Sequence, residues 1–308
     1  MHCAYAIETG MRHSLSGDLH LADDGRCVAR LSHGELAYRQ AGSSSLPPLL
    51  LIHGWGGASR YWLPAMRALS DAFSCYAPDL PGFGFSAPLD TQLSTGDGAA
   101  PDAHSHRGLA SVIQEFIDVM NITQCDVIGH SYGSGVAIAL AAMQPTRVRR
   151  LIISNFSTFR DERERRMIIF MHRVTGLMVK ARKLPFARSD GFAKLLGGRY
   201  FHRLPNDVTV LREGLDDFMQ MDERTADLTV KASLGWETPR DLAQLPMPVL
   251  LIHCRDDQIM PPRNAQYTAG LAPHGTLVWI DACGHLPMVE KTEEFVRIVK
   301  QFLLDDNR

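Results

Sequence analysis

Residues 125–139 read CDVIGHSYGSGVAIA, an apolar run that reaches Gly129-His130-Ser131-Tyr132-Gly133 and continues into small and apolar residues. The pattern predicts a buried strand over 125–130, followed directly by a helix from 132. Glycines on both sides of Ser131 allow a sharp turn between the two elements, which would strain the serine backbone and leave its hydroxyl exposed. Small residues also crowd ordinary helix starts, so a nucleophilic role for Ser131 needs support from elsewhere in the chain.

A serine hydroxyl attacks a carbonyl at neutral pH only when a base, itself held by a third group, lies within hydrogen-bond reach. The last predicted strand runs into the stretch WIDACGH, which places His285 in a loop at the sheet edge where Ser131 emerges. The preceding predicted strand ends before two acids, Asp256 and Asp257, and either could orient His285. We predict Asp257, because it lies four residues before Pro261 in a D-x-x-x-P turn.

The third requirement is a pair of donors for the oxyanion that forms when a carbonyl is attacked. Residues 49–57 read LLLIHGWGG, a strand that ends in a glycine-bearing loop. The backbone N–H groups of Trp55, in this loop, and of Tyr132, at the start of the helix after Ser131, are predicted to form the oxyanion hole. This chemistry requires no metal and no organic cofactor.

The whole chain alternates short apolar runs with helical segments, which is typical of α/β folds. We predict an eight-stranded, mostly parallel sheet flanked by helices, and the first two strands form an antiparallel hairpin. The predicted strands are 27–31, 35–40, 48–53, 74–78, 125–130, 149–155, 248–253 and 276–281. The predicted helices are 60–72, 106–121, 132–144, 262–272 and 292–304.

Two segments interrupt this alternation. Residues 88–107 have almost no apolar content and are predicted to form a mobile surface loop. His104 and His106 make a His-x-His pair in it, but two ligands on such a loop are too few to predict a metal site, and both are expected to be solvated. Residues 157–243 are predicted to form a helical lid inserted into a core of residues 1–156 and 244–308.

The predicted lid is unevenly charged. From 158 to 204 it has twelve Arg or Lys against four Asp or Glu, and from 205 to 243 four against nine, so the two halves are expected to face and neutralise each other. The stretch RRMIIFMHRVTGLMVKARK (165–183) mixes apolar with basic residues. It suits either the apolar ceiling of an active-site cleft or weak contact with an anionic membrane surface.

Composition narrows the class of protein. The chain has 308 residues, 45% of them hydrophobic, which is enough to bury one large core. Its formal net charge of -2 gives no overall electrostatic attraction to nucleic acid. The six cysteines show no zinc-like spacing and are expected to be reduced and mostly buried. The first residues lack the apolar run of a signal peptide, so a cytoplasmic location is expected.

Five motifs in this order resemble the α/β-hydrolase fold superfamily, in particular its lid-bearing serine hydrolases. They are HGWGG (53–57), DLPGFGFS (79–86), GHSYG (129–133), RDDQIMP (255–261) and GHLPMVE (284–290). The resemblance implies Ser131 as nucleophile, Asp257 as acid and His285 as base, with Trp55 and Tyr132 at the oxyanion positions. It also implies structural roles for His53 and Asp79, which would hold the oxyanion loop and the DLPG turn.

The expected function is hydrolysis of a carboxylic ester of a small to medium hydrophobic molecule through an acyl-enzyme intermediate. An alternative is a carbon-carbon bond hydrolase of vinylogous diketones, in which a lid arginine grips a substrate carboxylate. A non-catalytic ligand-binding protein of the same fold is a third reading. The sequence leaves the natural substrate and the oligomeric state open.

Overall fold

A computed structural model describes residues 25–89, 102–167, 182, 184–232, 235–260 and 262–305 of the chain. Several predictions fall outside these ranges. They concern the N-terminal segment 1–24, residues 90–101 of the predicted loop, most of the basic stretch 165–183, and Pro261 of the D-x-x-x-P turn.

One sheet of eight strands forms the centre of the molecule, as predicted. In chain order its strands are β1 (Arg26–Leu31), β2 (Gly34–Ala41), β3 (Pro48–Ile52), β4 (Ser74–Pro78), β5 (Cys125–His130), β6 (Val148–Ser154), β7 (Val249–Cys254) and β8 (Gly275–Ile280). Each predicted strand end lies within one residue of the observed end. The central strands are continuous apolar runs because both of their faces are covered; all residues of β5 and β7 are buried.

The spatial order of the strands is β1-β2-β4-β3-β5-β6-β7-β8. β1 pairs antiparallel with β2, and β2 pairs antiparallel with β4, whereas β3 to β8 are parallel to one another. The carboxyl ends of parallel strands meet at one edge of the sheet. The loops after β3, β5, β6, β7 and β8 therefore converge there, and these loops contain the predicted site residues.

Helices cover both faces of the sheet. One face packs against α1 (Leu63–Leu69) and the C-terminal helix α10 (Thr292–Leu303), and the other against α2 (His106–Val119), α3 (Tyr132–Met143) and α8 (Ala265–Leu271). The predicted helix 60–72 begins as a 3-10 turn at Ser59–Trp62, and the helix predicted at 262 begins as a 3-10 turn at Pro262–Asn264. In α10 the residues that recur at helical spacing, among them Phe295, Val299 and Phe302, are buried.

Between β6 and β7 the described residues are mainly helical. A 3-10 turn at Pro185–Arg188 is followed by α4 (Asp190–Tyr200), α5 (Val208–Gln220), α6 (Glu223–Ala232) and α7 (Glu237–Leu242). α4 and α5 form a small apolar cluster of their own around Ala193, Phe201, Leu211 and Leu215. α7 packs instead against α3 and α8 at the sheet. Arg212 on α5 pairs with Asp190 on α4, an ion pair that joins the two halves and has its basic residue in the second half.

All five described cysteines are free thiols. All of them except the half-buried Cys27 are buried, as predicted. Within the described ranges no helix combines the length and the apolar character that crossing a bilayer requires. A short helix, α9 (Pro287–Glu290), separates the loop after β8 from α10.

Candidate active site

Ser131 occupies the turn between β5 and α3 with a backbone conformation of φ 50° and ψ −124°. Residues with a Cβ atom rarely adopt this conformation, so the predicted strain is confirmed. The flanking glycines are needed for space. A Cβ on Gly133 would lie 2.3 Å from the carbonyl oxygen of His53, and a Cβ on Gly129 would lie 2.6 Å from that of Gly133. The turn therefore accepts a side chain at Ser131 and none at either glycine.

His285 and Asp257 meet at the ends of β8 and β7. Nδ1 of His285 lies 2.8 Å from Oδ2 of Asp257, and both side chains are buried. The other carboxylate oxygen of Asp257 accepts the backbone N–H groups of Ile259 at 2.8 Å and Met260 at 2.9 Å. Asp256 is the alternative acid that its place after the strand could not exclude. It is half-exposed, and its Oδ2 lies 3.4 Å from Nδ1 of His202 instead.

The pKa of Asp257 reflects these contacts. Burial on its own would raise this pKa, but the charge of His285 and the hydrogen bonds from His285, Asn155 and Met260 outweigh burial and hold the pKa below its usual range. Asp257 is therefore ionised at every pH at which an enzyme works. An ionised carboxylate can only accept, so Nδ1 of His285 carries the proton, and Nε2 is left as the basic nitrogen of the neutral ring.

Asn155 supports the acid from the end of β6. Its amide donates to Oδ2 of Asp257 at 2.7 Å and to the carbonyl of Gly284 at 3.3 Å. Its own oxygen accepts the thiol of Cys254 at 3.5 Å. Asn155 is fully buried with φ of 48°, a left-handed conformation that asparagine tolerates better than most residues. It thereby joins the loops that bear the acid and the base.

The loop that bears His285 is also attached to the chain that follows α4. The backbone N–H of His285 donates to the carbonyl of Tyr200 at 2.6 Å, and the Tyr200 ring packs edge-on against the imidazole at 5.7 Å. The carboxylate of Glu290 accepts three backbone N–H groups, from Gly284 at 2.8 Å, His202 at 3.1 Å and Arg203 at 2.8 Å. The segment between β6 and β7 therefore helps to position the imidazole.

His285 lies beside the residue that precedes Ser131. The ring of His130 lies 4.7 Å from the ring of His285, centroid to centroid. Among the described residues the Ser131 hydroxyl makes no hydrogen bond to His285, whose described side-chain bond goes to Asp257. Such bonds are often long in unliganded enzymes and shorten when substrate binds.

The loop after β3 supplies the first predicted oxyanion donor. The carbonyl of Gly54 accepts hydrogen bonds from Nδ1 of His53 at 2.8 Å and from the N–H of Gly57 at 3.2 Å. In a trans peptide the carbonyl of Gly54 and the N–H of Trp55 point in opposite directions. Holding this carbonyl therefore fixes the direction of the Trp55 N–H, and His53 has the structural role that was predicted.

The second predicted donor, the N–H of Tyr132, starts α3 directly after the nucleophile. In the described part of the chain, neither this N–H nor that of Trp55 has an acceptor. The two loops are close, since a Cβ on Gly54 would lie 3.1 Å from Cβ of Ser131. Two free amides beside one hydroxyl are the arrangement that stabilises an oxyanion. Asp79 has the predicted structural role as well: it accepts the N–H groups of Ser59 at 2.6 Å and Phe85 at 3.0 Å.

The prediction that His104 and His106 are solvated is wrong, because both side chains are buried. His106 is the first residue of α2, and its Nδ1 lies 2.9 Å from Oγ1 of Thr238. Its ring packs on Tyr132 at 4.8 Å, and burial lowers its pKa to about 4. The hydroxyl of Tyr132 donates to the carbonyl of His104 at 3.3 Å. Both histidines therefore contact the side chain of Tyr132, the residue whose N–H is predicted to be an oxyanion donor.

Sequence reasoning missed the roles of Asn155 and Glu290. A signal for Asn155 was its place at the end of a predicted strand, where a left-handed residue can turn the chain toward the sheet edge. Glu290 was part of the GHLPMVE motif without a role of its own. One of its three amide partners, Gly284, lies in the same motif, but the other two, His202 and Arg203, lie in a distant segment that no local pattern brings beside it.

Comparison with known proteins supports the fold. Residues 49–298 match the model of a family described as the alpha/beta hydrolase family. A 2-hydroxymuconate semialdehyde hydrolase from Pseudomonas putida is 27% identical over 280 residues, which covers 84% of this chain and 87% of the relative. Two solved structures superpose over most of both chains. They are the esterase RhEst1 from Rhodococcus sp. ECU1013 (TM-score 0.74, 20% identity, 91% of this chain and 99% of that one) and the enol-lactonase from Burkholderia xenovorans LB400 (TM-score 0.72, 21% identity, 90% and 100%).

The family model spans the strands and loops that contain Ser131, Asp257 and His285, and the two solved structures share the fold. The resemblance found in the five sequence motifs is thereby confirmed at the level of the fold. The chain belongs to the alpha/beta hydrolase family.

Proposed function

We propose that this hydrolase cleaves carboxylic esters of small to medium hydrophobic molecules through an acyl-enzyme on Ser131. The observation that carries the proposal is the strained Ser131 turn at the sheet edge where the buried His285–Asp257 pair also lies, an arrangement that suits a nucleophile and its oriented base. An ester needs only these groups and an oxyanion hole, because its alcohol is a better leaving group than an amine or a carbanion.

In the proposed reaction the Ser131 oxygen attacks the ester carbonyl while Nε2 of His285 takes the hydroxyl proton. The resulting imidazolium is stabilised by the ionised Asp257, and the oxyanion accepts the N–H groups of Trp55 and Tyr132. The intermediate collapses as His285 gives its proton to the leaving alcohol. Water, deprotonated by the same imidazole, then releases the acid and restores the serine.

The helices α4 to α6 are proposed to act as the lid over this site. The ring of Phe218 on α5 packs against Trp55 at 6.3 Å, and the indole N–H of Trp55 donates to Thr229 on α6 at 3.2 Å. Asp217 on α5 is paired with Arg60 on the core at 2.8 Å. Because aromatic side chains line this contact with the oxyanion loop, a hydrophobic acyl group suits the space better than a charged one.

A fluorophosphonate probe tests the proposal directly, since it reacts only with an activated serine. We expect labelling at Ser131, and hydrolysis of a p-nitrophenyl acyl series that Ser131→Ala abolishes. Ser134→Ala is the matched control: Ser134 lies in the first turn of α3, directly after the Ser131 turn, but it is fully buried and its hydroxyl donates to the carbonyl of Gly129 at 2.9 Å. Labelling that persists in Ser131→Ala would refute the nucleophile, and an unreactive wild-type protein would favour a ligand-binding role.

Carbon-carbon bond hydrolysis is the second candidate, supported by the named activity of the Pseudomonas putida relative and by one feature of the lid. A cavity of about 340 Å³ is lined by Arg182, Leu184, Pro185, Arg188 and Met219. Nη1 of Arg182 already donates to the carbonyls of Phe218 and Met221. Arg188 is exposed, which makes it the arginine available for a substrate carboxylate.

The two candidates differ in their dependence on that arginine. Arg188→Ala should lower kcat/KM for a vinylogous diketone that has a carboxylate by about tenfold or more, because a charge-assisted bond is lost. For the methyl ester of the same diketone, kcat/KM should not change. Arg297→Ala on the exposed face of α10 is the control for removal of a surface charge. If wild-type protein hydrolyses the ester series and leaves the diketone intact, the second candidate is excluded.

A further inference from the structure

His130, the residue before the nucleophile, lies at the centre of a hydrogen-bonded chain that no step of the proposed reaction uses. It is buried, with 2% of its surface exposed. Its Nδ1 lies 2.9 Å from the hydroxyl of Tyr61, and its Nε2 lies 2.8 Å from the carbonyl oxygen of His285. The Tyr61 hydroxyl in turn accepts the backbone N–H of Gly54.

The direction of every bond in this chain is determined. The carbonyl of His285 can only accept, so Nε2 of His130 carries a proton. Burial, followed by the charge of His285, lowers the pKa of His130 well below its ordinary value, so the ring is neutral and Nδ1 is an acceptor. Burial raises the pKa of Tyr61, which therefore keeps its proton and donates it to Nδ1. The bonds run from Gly54 N–H through Tyr61 and His130 to the His285 carbonyl.

Three loops are joined by this chain. Gly54 precedes the oxyanion donor Trp55, His130 precedes the nucleophile Ser131, and the carbonyl belongs to the base His285 itself. We propose that Tyr61 and His130 are a positioning pair, which holds the oxyanion loop and the main chain of the base at fixed distances from the serine. This inference rests on the proposed function, because it assigns the pair a purpose in the same reaction.

The contacts exclude a role for His130 as the base. Both of its ring nitrogens have hydrogen-bond partners inside the protein, and its burial disfavours a charge. Its neighbours also restrict movement: the rings of Tyr61 and Trp62 pack edge-on against it at 5.5 Å and 6.3 Å. A neutral, immobile imidazole with both nitrogens bonded can transmit position between loops and cannot accept a proton from Ser131.

Tyr61→Phe is the first test, because it removes one oxygen and keeps the ring. We expect kcat for a p-nitrophenyl ester to fall on the order of 10- to 100-fold, as for a small misplacement of reacting groups, with KM nearly unchanged. Tyr76→Phe is the matched control. The Tyr76 hydroxyl is also buried in the fold, where Gln40 and Ser74 lie 3.2 Å away, but it is part of β4 and outside the site. It should cost similar stability and leave kcat unchanged.

Two substitutions at His130 separate the two halves of the chain. Glutamine can reproduce the Nε2 donor to His285 and loses the acceptor for Tyr61, whereas asparagine can reproduce the acceptor and loses the donor. We expect each to lower kcat. Adding Tyr61→Phe to His130→Gln should lower kcat by less than it does in the wild-type protein, because the bond between the two residues is already lost and only the bond from Gly54 remains to be removed. Adding it to His130→Asn should lower kcat again.

The tautomer of His130 can be read independently of turnover, from long-range 1H–15N correlations assigned by the loss of signals in His130→Gln. A proton on Nε2 supports the chain, and a proton on Nδ1 overturns it. The inference also fails if Tyr61→Phe retains wild-type kcat, or if Tyr76→Phe loses as much. If fluorophosphonate does not label Ser131 in the wild-type protein, the proposed function is overturned. The catalytic role of Tyr61 and His130 is then overturned as well, whichever tautomer His130 has.

Discussion

Replacing Ser131 by glycine and by alanine separates its chemistry from the strain of its backbone. At φ 50° and ψ −124° a residue with a Cβ atom destabilises the fold by about 1–3 kcal/mol. Glycine avoids this cost, although its freer unfolded chain offsets about 0.5–1 kcal/mol of the gain. We therefore expect Ser131→Gly to be more stable than Ser131→Ala by about 1–2 kcal/mol. Neither variant should turn over substrate.

The assay is the denaturant midpoint of unfolding for the two variants under the same conditions. Ser111 provides the matched pair, because it lies within α2, where its hydroxyl donates to the carbonyl of Arg107 at 3.0 Å. In ordinary helical geometry alanine is more stable than glycine by about 1 kcal/mol. The difference between the two variants should thus have opposite signs at 131 and 111. If alanine is the more stable at both positions, the turn at Ser131 is unstrained and the reasoning is refuted.

Three further predictions concern the surroundings of the site. Asn155→Ala should lower kcat about tenfold and cost about 1–3 kcal/mol of stability, because Asp257 loses a buried donor; steady-state kinetics and urea unfolding measure the two effects. Gly133→Ala should lower the free energy of unfolding by about 1–3 kcal/mol, because the new Cβ clashes with a backbone carbonyl. Gly198 is exposed on α4 and a Cβ there would meet no atom, so Gly198→Ala should be neutral or stabilising in the same unfolding measurement. Burial lowers the pKa of His106 to about 4, so this residue binds a proton more readily in the unfolded chain. The free energy of unfolding of the wild-type protein should therefore fall by up to about 3 kcal/mol as pH drops from about 6.5 to 4. His106→Phe should reduce this loss, and equal losses in both proteins at pH 4.5 relative to 7 would contradict the assignment.

The sheet, and the edge at which the three proposed catalytic side chains lie, could be predicted because each depends on local patterns. Strands buried on both faces are continuous apolar runs, so their ends are visible in the sequence. The ends of parallel strands share one edge, so a residue just after a strand can be assigned to that edge without knowing the tertiary structure. Ser131 directly follows β5, and Trp55, Asp257 and His285 lie in the loops that follow β3, β7 and β8.

The residues that hold these groups in place could not be predicted in the same way. Asn155, Glu290 and Tyr61 each have a partner in a distant segment: Glu290, for example, accepts backbone N–H groups of the chain after α4. An amide, a carboxylate or a hydroxyl is compatible with many such contacts, and its sequence neighbours do not say which loop will lie beside it.

His104 and His106 show why a prediction from composition failed where one from periodicity held. The low apolar content of 88–107 was read as exposure of the whole stretch, yet polar residues are buried wherever partners satisfy them. Ser105 caps α2 by accepting the N–H of Gly108, so the helix begins inside the polar stretch. Thr238 then bonds the His106 ring, and the His104 carbonyl accepts the hydroxyl of Tyr132. Ser105 was a local signal for the start of a helix. This signal is more informative than the mean polarity of the stretch, because a helix needs only one apolar face to be buried.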